Sequence, residues 1–196
     1  SNYITAEQAQ QEVEEVLGHK IKIGQHLTFD PGALDRSWIK NCCATGLSSS
    51  FIEPLEASSI GATIQQTFML MHSLVNYNET IINRYNKSFR SVVENIRDFI
   101  VLHFICPRND TEFWKNCKTL PVPESLQAKL DTWKERLPVA IDFDNDSSYT
   151  LFNELHFLMV LHGLGMFDIE KIKEEYETFP NQLKEFASKV RHELSL

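Results

Sequence analysis

The stretch Asn78 to Phe104 constrains the fold more than any other. Ile82, Tyr85, Phe89, Val92, Val93, Ile96, Phe99, Ile100 and His103 recur at helical spacing, and Arg84, Lys87, Arg90, Glu94 and Arg97 lie largely off that line. Apolar residues every three or four positions place one stripe along one helix face. The spacing predicts a long amphipathic helix that must bury this stripe, so the stripe is core rather than a cofactor box. Cys106-Pro107 ends it, because the residue before proline is pushed out of helical conformation. With 196 residues, 42% of them hydrophobic, the chain can build a real core around such a helix.

Helical signals continue on both sides. Thr5 with Gln8 forms a capping box for a helix to Leu17, and Gly18 stops it. Asp110 caps a short helix, Thr111 to Cys117, and Glu124 to Arg136 follows with Leu126, Leu130, Trp133 and Leu137 on one face. Leu151 to Leu164 reads as an apolar helix ended by Gly163-Leu164-Gly165, Asp168 caps a charged one, and Pro180 starts a last one to about His192. Strand signals are confined to the first quarter. His19 to Phe29 alternates through Ile21, Ile23, Leu27 and Phe29, Asp30-Pro31-Gly32 is a tight turn, and Ser37 to Thr45 is the next strand. Two strands alone are marginal in water and call for a larger sheet. The expected class is mainly α with a short β-hairpin (α+β), with 1–53 as helix plus strands and 54–196 as a helical domain.

Several functions are excluded or unsupported. A net charge of −8 offers no basic face for nucleic acid. No apolar run reaches the roughly 20 residues needed to span a bilayer, and the polar, acidic start is no secretory signal. Cys42, Cys43, Cys106 and Cys117 have no metal spacing and read as reduced thiols of a cytoplasmic protein. The seven histidines form no H-x-x-x-H, and no G-x-S-x-G is present. The acidic run Asp142, Asp144, Asp146 lacks the glycine and terminal glutamate of a calcium loop and reads as a solvated turn.

Chemistry concentrates in Asn41 to Gly61. Asn41 to Leu47 is uncharged and fits a buried strand, and Ser48, Ser49 and Ser50 are turn residues. Pro54 fits the first turn of a helix running to about Val75, closed by Met69, Leu70, Met71 and Leu74 and buried on most sides. Glu56, Ser58 and Ser59 stand at its mouth, where free N–H groups and the helix dipole favour an anion. On residue type alone Glu56 is a first-turn carboxylate, Ser58 and Ser59 satisfy helix-start amides, and Leu47 and Ile60 are core.

Trp38 to Ile60 resembles W-x-x-N-C-x-x-x-G-L-x-x-x-F-[VI]-E-P-L-E-[AS]-[ST]-[GS]-I, the signature of flavin-dependent halogenases of the tryptophan halogenase family. The likeness continues more faintly through Arg97 to Phe104, Arg108 to Trp114, Pro123-Glu124-Ser125-Leu126 and Val160 to Gly165. The family also has a G-x-G-x-x-G, a W-x-W and an essential lysine ahead of this signature, and the chain contains neither of those two motifs. The resemblance therefore implies the C-terminal, substrate-side portion of a two-part FAD-dependent fold, with 1–53 completing the flavin domain's sheet. The flavin-binding half would be removed, lost or carried elsewhere, and an apolar patch would be exposed where that half docks.

The resemblance assigns roles. Glu56 aligns with the catalytic glutamate, Ser58 and Ser59 with the halide cradle, and Leu47 and Ile60 with contacts to the flavin ring. The tryptophan halogenases read E-S-T-G where this chain has Glu56-Ala57-Ser58-Ser59, which puts the halide preference in question. The implied chemistry is halogenation of an electron-rich arene, indole- or phenol-like, using reduced FAD from a partner reductase, oxygen and halide. Asp142 to Tyr149 runs directly into Leu151 without the insertion that grips free tryptophan, so a larger or carrier-bound arene fits as well. The isolated chain is expected to be inactive, and a homodimer is compatible. Two other classes stand beside this reading: a non-halogenating flavin monooxygenase relative, and a helical interaction module descended from the family.

Overall fold

The computed structural model describes residues 3–53, 55–143 and 150–178, together with 181, 185, 188 and 189. In chain order its elements are α1 (Ala6–Leu17), β1 (Gly32–Ala33), β2 (Trp38–Ile39), β3 (Cys42–Cys43), β4 (Ser50–Phe51), α2 (Ser58–Leu74), α3 (Glu79–Phe104), α4 (Glu112–Cys117), α5 (Glu124–Trp133), α6 (Glu154–Gly163) and α7 (Ile169–Thr178). They fall into two compact units, Ser1–Asp30 with Arg108–Leu120, and Pro31–Pro107 with Pro121–Leu196. The class is mainly α with short β-hairpin pairing.

In the first unit, Thr5 and Gln8 close the capping box and Gly18, at φ 73°, ends α1 by donating to Glu14 O. The strand expected over His19 to Phe29 does not form. Its alternation has no neighbouring strand to pair with among the described residues, and Ile23, Leu27 and Phe29 remain exposed. The segment is tied instead to Glu14, whose carboxylate accepts from Lys20 Nζ at 2.6 Å and from Ile21 N at 3.1 Å. The Lys20 ammonium, the Gln10 amide and the Ile21 N–H lower the Glu14 pKa to about 2. Thr111, not Asp110, caps α4, accepting from Trp114 N, while Asp110 pairs with Arg108 at 2.7 Å.

The second unit is built on α3. Its stripe from Ile82 to Ile100 is buried as the spacing requires, with His103 half-buried against the Phe99 ring. The expected strand Ser37 to Thr45 instead doubles back at Lys40, φ 54°, into a hairpin that pairs Trp38 with Cys43 and Ile39 with Cys42. A second ladder pairs Gly32 with Phe51 and Ala33 with Ser50. Asn86 of α3 holds the hairpin, accepting from Trp38 N at 2.9 Å and donating to Trp38 O at 2.8 Å. Phe99, Phe152, Phe157, Trp133 and Phe143 form the aromatic centre where α3, α5 and α6 meet.

A buried charge joins α3 to α5. Asp98, 1% exposed, accepts from Lys129 at 3.0 Å, Ser125 at 2.9 Å and Arg97 at 2.9 Å, so its desolvation is met by three donors. Asp142 is likewise not a solvated turn residue. Arg136, the Trp133 indole N–H and the Val139 N–H all donate to it. Helix α6 starts at Glu154 rather than Leu151 because Asn153 caps it, and α7 takes its cap from Asp168. Pro54, Asp144 to Ser148 and most of the stretch from Pro180 to His192 lie outside the described residues.

Helix α2 departs from expectation at both its start and its faces. It begins at Ser58, because Glu56 (φ 56°) and Ala57 (φ 50°) are left-handed and cannot join a right-handed helix. It is not buried on most sides. Ala62, Gln66 and Met69 face inward, while Ile60, Ile64, Phe68 and Met71 form an exposed apolar stripe that Val75 continues.

Candidate functional site

The five residues singled out by sequence lie on two adjoining pieces of the second unit, the 3-10 turn Gly46–Ser48, and the first turn of α2 with the bend that leads into it. Leu47 tips the first piece and is 68% exposed, and Ile60 on the second is 66% exposed. Neither is core. Both offer apolar surface to whatever lies outside, which is what contact with a flat apolar ring requires.

The approach to α2 is strained. Two consecutive non-glycine residues in the left-handed region cost on the order of 1 kcal/mol or more each. Glu56 is exposed at this bend. The strain sets the amides that follow. Left-handed Ala57 runs into helical Ser58, so the first-turn N–H groups of α2 take their partners from the bend itself. The Ser58 N–H donates to Leu55 O at 3.2 Å, and the Ile60 and Gly61 N–H groups both donate to Ala57 O. The Ser59 N–H has no acceptor among the described residues.

The two serines are not equivalent. Ser58 is buried and its hydroxyl donates to Glu53 O at 3.3 Å, so it holds the chain entering the bend rather than facing an anion. Ser59 is half-buried, its carbonyl accepting from Thr63 Oγ1 at 2.7 Å. The free donor at this mouth is the Ser59 main-chain N–H, reinforced by the positive end of a 17-residue helix.

Sequence reasoning missed the residue that joins the two pieces. Gln66, 0% exposed, lies inside α2 and spends its amide on the turn. Its Oε1 accepts from Gly46 N at 2.9 Å and from Ser49 Oγ at 3.1 Å, and its Nε2 donates to Ala44 O at 3.0 Å. Gly46, at φ 60°, is pressed against the same helix, and a Cβ there would sit 3.3 Å from Thr63 Oγ1. The one available signal was a glutamine on the buried side of a helix without Asp, Glu, Lys or Arg.

Around this clamp the groups are held neutral. Burial pushes the Tyr85 phenol up, and its hydrogen bond with Cys43 Sγ, at 3.5 Å, pushes the same way, outweighing the Gln66 amide, which pulls it down. Burial also raises the Cys43 thiol. The first unit carries a concavity of about 540 Å³ lined by Glu7, Gln10, Glu14 and Lys20, but its polar groups bond one another, so it is not the candidate site. No helix among the described residues is long and apolar enough to cross a membrane.

Comparison with known proteins agrees with the signature. The family model described as tryptophan halogenase matches residues 1–178. Tryptophan 6-halogenase SttH from Streptomyces toxytricini is 29% identical over 179 residues, 84% of this chain and 32% of that protein. Among solved structures, a thermophilic tryptophan halogenase (Th-Hal) from Streptomycin violaceusniger superposes with a TM-score of 0.76 at 26% identity, covering 95% of this chain and 40% of that one. BrvH, a flavin-dependent halogenase from Brevundimonas sp. BAL3, gives a TM-score of 0.73 at 27% identity, covering 98% of this chain and 40% of that one. The chain thus spans about a third of the length of the curated relative, 32% of SttH.

Proposed function

Because the chain belongs to the tryptophan halogenase family, we propose that it supplies the substrate side of a flavin-dependent halogenase acting on an electron-rich arene, with its first 53 residues completing the flavin domain and the helices from residue 54 onward carrying the substrate. The observation that carries this reading is the strained Glu56-Ala57 bend, which leaves the Ser59 N–H free at the start of α2 beside two exposed apolar residues, Leu47 and Ile60.

Reduced FAD, delivered by a reductase, supplies with oxygen the oxidising equivalent that turns halide into an electrophile. The chain's own residues do the rest. The Ser59 N–H and the helix mouth hold the halide, and Leu47 and Ile60 pack on the flavin ring. Glu56 faces the arene, stabilises the cation formed when the ring is attacked, and takes the proton that leaves. A hydroxyl or thiol nucleophile is not needed for such chemistry, which agrees with the Tyr85 and Cys43 protons being held by burial. The exposed stripe Ile60, Ile64, Phe68 and Met71 runs on from Ile60 and provides a dry seat for a flavin-binding portion.

The test is complementation. The chain is coexpressed with the N-terminal portion of SttH that precedes the matched region, then given FAD, a flavin reductase, bromide and indole or tryptophan. A brominated product, recognised by its isotope pair, is expected from the assembly and not from the chain alone. Flavin turnover without bromination in the assembly points to a non-halogenating monooxygenase, and bromination by the chain alone refutes its incompleteness.

A further inference from the structure

We propose that Gln66 is a positioning residue that sets the flavin-facing rim of the site by holding the Gly46–Ser48 turn, and Leu47 with it, at a fixed place on α2. The flavin clause rests on the function proposed above. The clamp itself is read from geometry. Three hydrogen bonds of the Gln66 amide go to residues 44–49, a further interaction reaches the Tyr85 hydroxyl of α3, and none goes to its own helix. The amide is wholly buried, so these bonds do not compete with water. They also grip three different main-chain or side-chain groups, Ala44 O, Gly46 N and Ser49 Oγ, and so fix the turn's orientation as well as its distance.

The consequence is a division of labour along one helix. The halide donor, the Ser59 N–H, belongs to the backbone of α2 and does not depend on Gln66. Leu47 lies on a turn of three residues that owes its place to Gln66 and to the Gly46 contact with Thr63. Thr63 also bonds the Ser59 carbonyl, about one helical turn from the mouth, so turn and mouth share a single stretch of α2. Loosening the clamp moves the flavin contact while leaving the halide contact in place.

Gln66→Met keeps the volume and removes the three bonds to the turn. Amide hydrogen exchange on the full chain reads the clamp directly. Exchange at Gly46 rises at least tenfold in Gln66→Met and is unchanged at Val92 and Ile96 of α3. If Gln66 only fills space, Gln66→Met leaves Gly46 protected, and the proposal is overturned whether or not the assembled protein turns over. Should Gln66→Met not fold, a scalar coupling across the hydrogen bond between Gly46 N and the Gln66 side-chain carbonyl in the wild-type chain decides the matter: its presence supports the clamp and its absence overturns it.

The flavin clause is read in the assembled protein. Gln66→Met raises KM for reduced FAD about tenfold and leaves KM for bromide within twofold. Equal effects on both constants, or on neither, overturn the clause while the clamp stands on the exchange data. A silent wild-type assembly removes the functional reading and the flavin clause together.

Discussion

Asn95 and the main chain of Phe152 bond to each other twice: Nδ2 donates to Phe152 O at 2.9 Å, and Oδ1 accepts from Phe152 N at 2.9 Å. The residues are 57 apart in sequence, and both bonds are buried. A single carboxamide thus pins the segment entering α6 to α3, and sets the Phe152 ring 3.9 Å, centroid to centroid, from Phe99. Replacing Asn95 leaves a buried N–H and a buried C=O without partners. Each unsatisfied group costs about 1–3 kcal/mol.

Asn95→Ala is therefore expected to destabilise the chain by about 3 kcal/mol, read as a lower urea midpoint at unchanged slope. Asn95→Asp keeps the acceptor for Phe152 N but buries a charge opposite Phe152 O, and is expected to cost at least as much. A midpoint within error of wild type for Asn95→Ala would show that water replaces the amide.

Asp142 gives a prediction in pH. Burial opposes its charge, but the Arg136 guanidinium, the Val139 N–H and the Trp133 indole N–H outweigh that and lower its pKa from the ordinary 3.8 to about 2. Its folded value lies below its unfolded one. Its contribution is therefore fully present above pH 4 and is lost as pH falls toward 2. The difference of nearly two units corresponds to about 2 kcal/mol, for a side chain only 10% exposed. Between pH 5 and 2 the wild type is expected to lose about that much more stability than Asp142→Asn, measured as unfolding free energy at each pH.

How much of this was legible in the sequence depended on what each element needs. The α3 stripe was legible because one helix face meeting one core leaves a period of 3.6, and α1 was legible because Thr5, Gln8 and Gly18 act locally. His19 to Phe29 misled because alternation states only that a segment suits a sheet, not that a partner strand exists. The Glu56-Ala57 bend was invisible, since neither residue favours the left-handed region and tertiary packing imposes it. Asn95, Asp98 and Gln66 were missed for a shared reason. Each is a polar residue on a buried face with at least one partner 17 to 57 residues away, and no local pattern encodes such a partner.

For the proposed halide site, the donor is a main-chain N–H, so side chain and backbone separate cleanly. Ser59→Ala is expected to leave KM for bromide in the assembled protein within about threefold of wild type. Ser59→Pro removes the N–H in the first helical turn, where proline is tolerated best, and is expected to raise KM for bromide at least tenfold, about 1.4 kcal/mol. Circular dichroism on both variants checks that α2 is retained. Equal effects from the two substitutions would move the role to the hydroxyl.

The exposed face of α2 carries the last prediction. Ile64 and Phe68 are each about half exposed and contribute little to the core of this chain. Single Ile64→Ser and Phe68→Ser substitutions are expected to change its stability by less than about 1 kcal/mol. If the stripe seats a flavin-binding portion, the same substitutions bury a hydroxyl at the centre of an apolar interface and remove its anchors, each at about 2 kcal/mol or more. Copurification with the N-terminal portion of SttH should then fall at least tenfold while the variants alone unfold at the wild-type urea midpoint. Undiminished copurification would show that the stripe lies outside the interface, and would leave Leu47 and Ile60 without the neighbour that their proposed flavin contacts require.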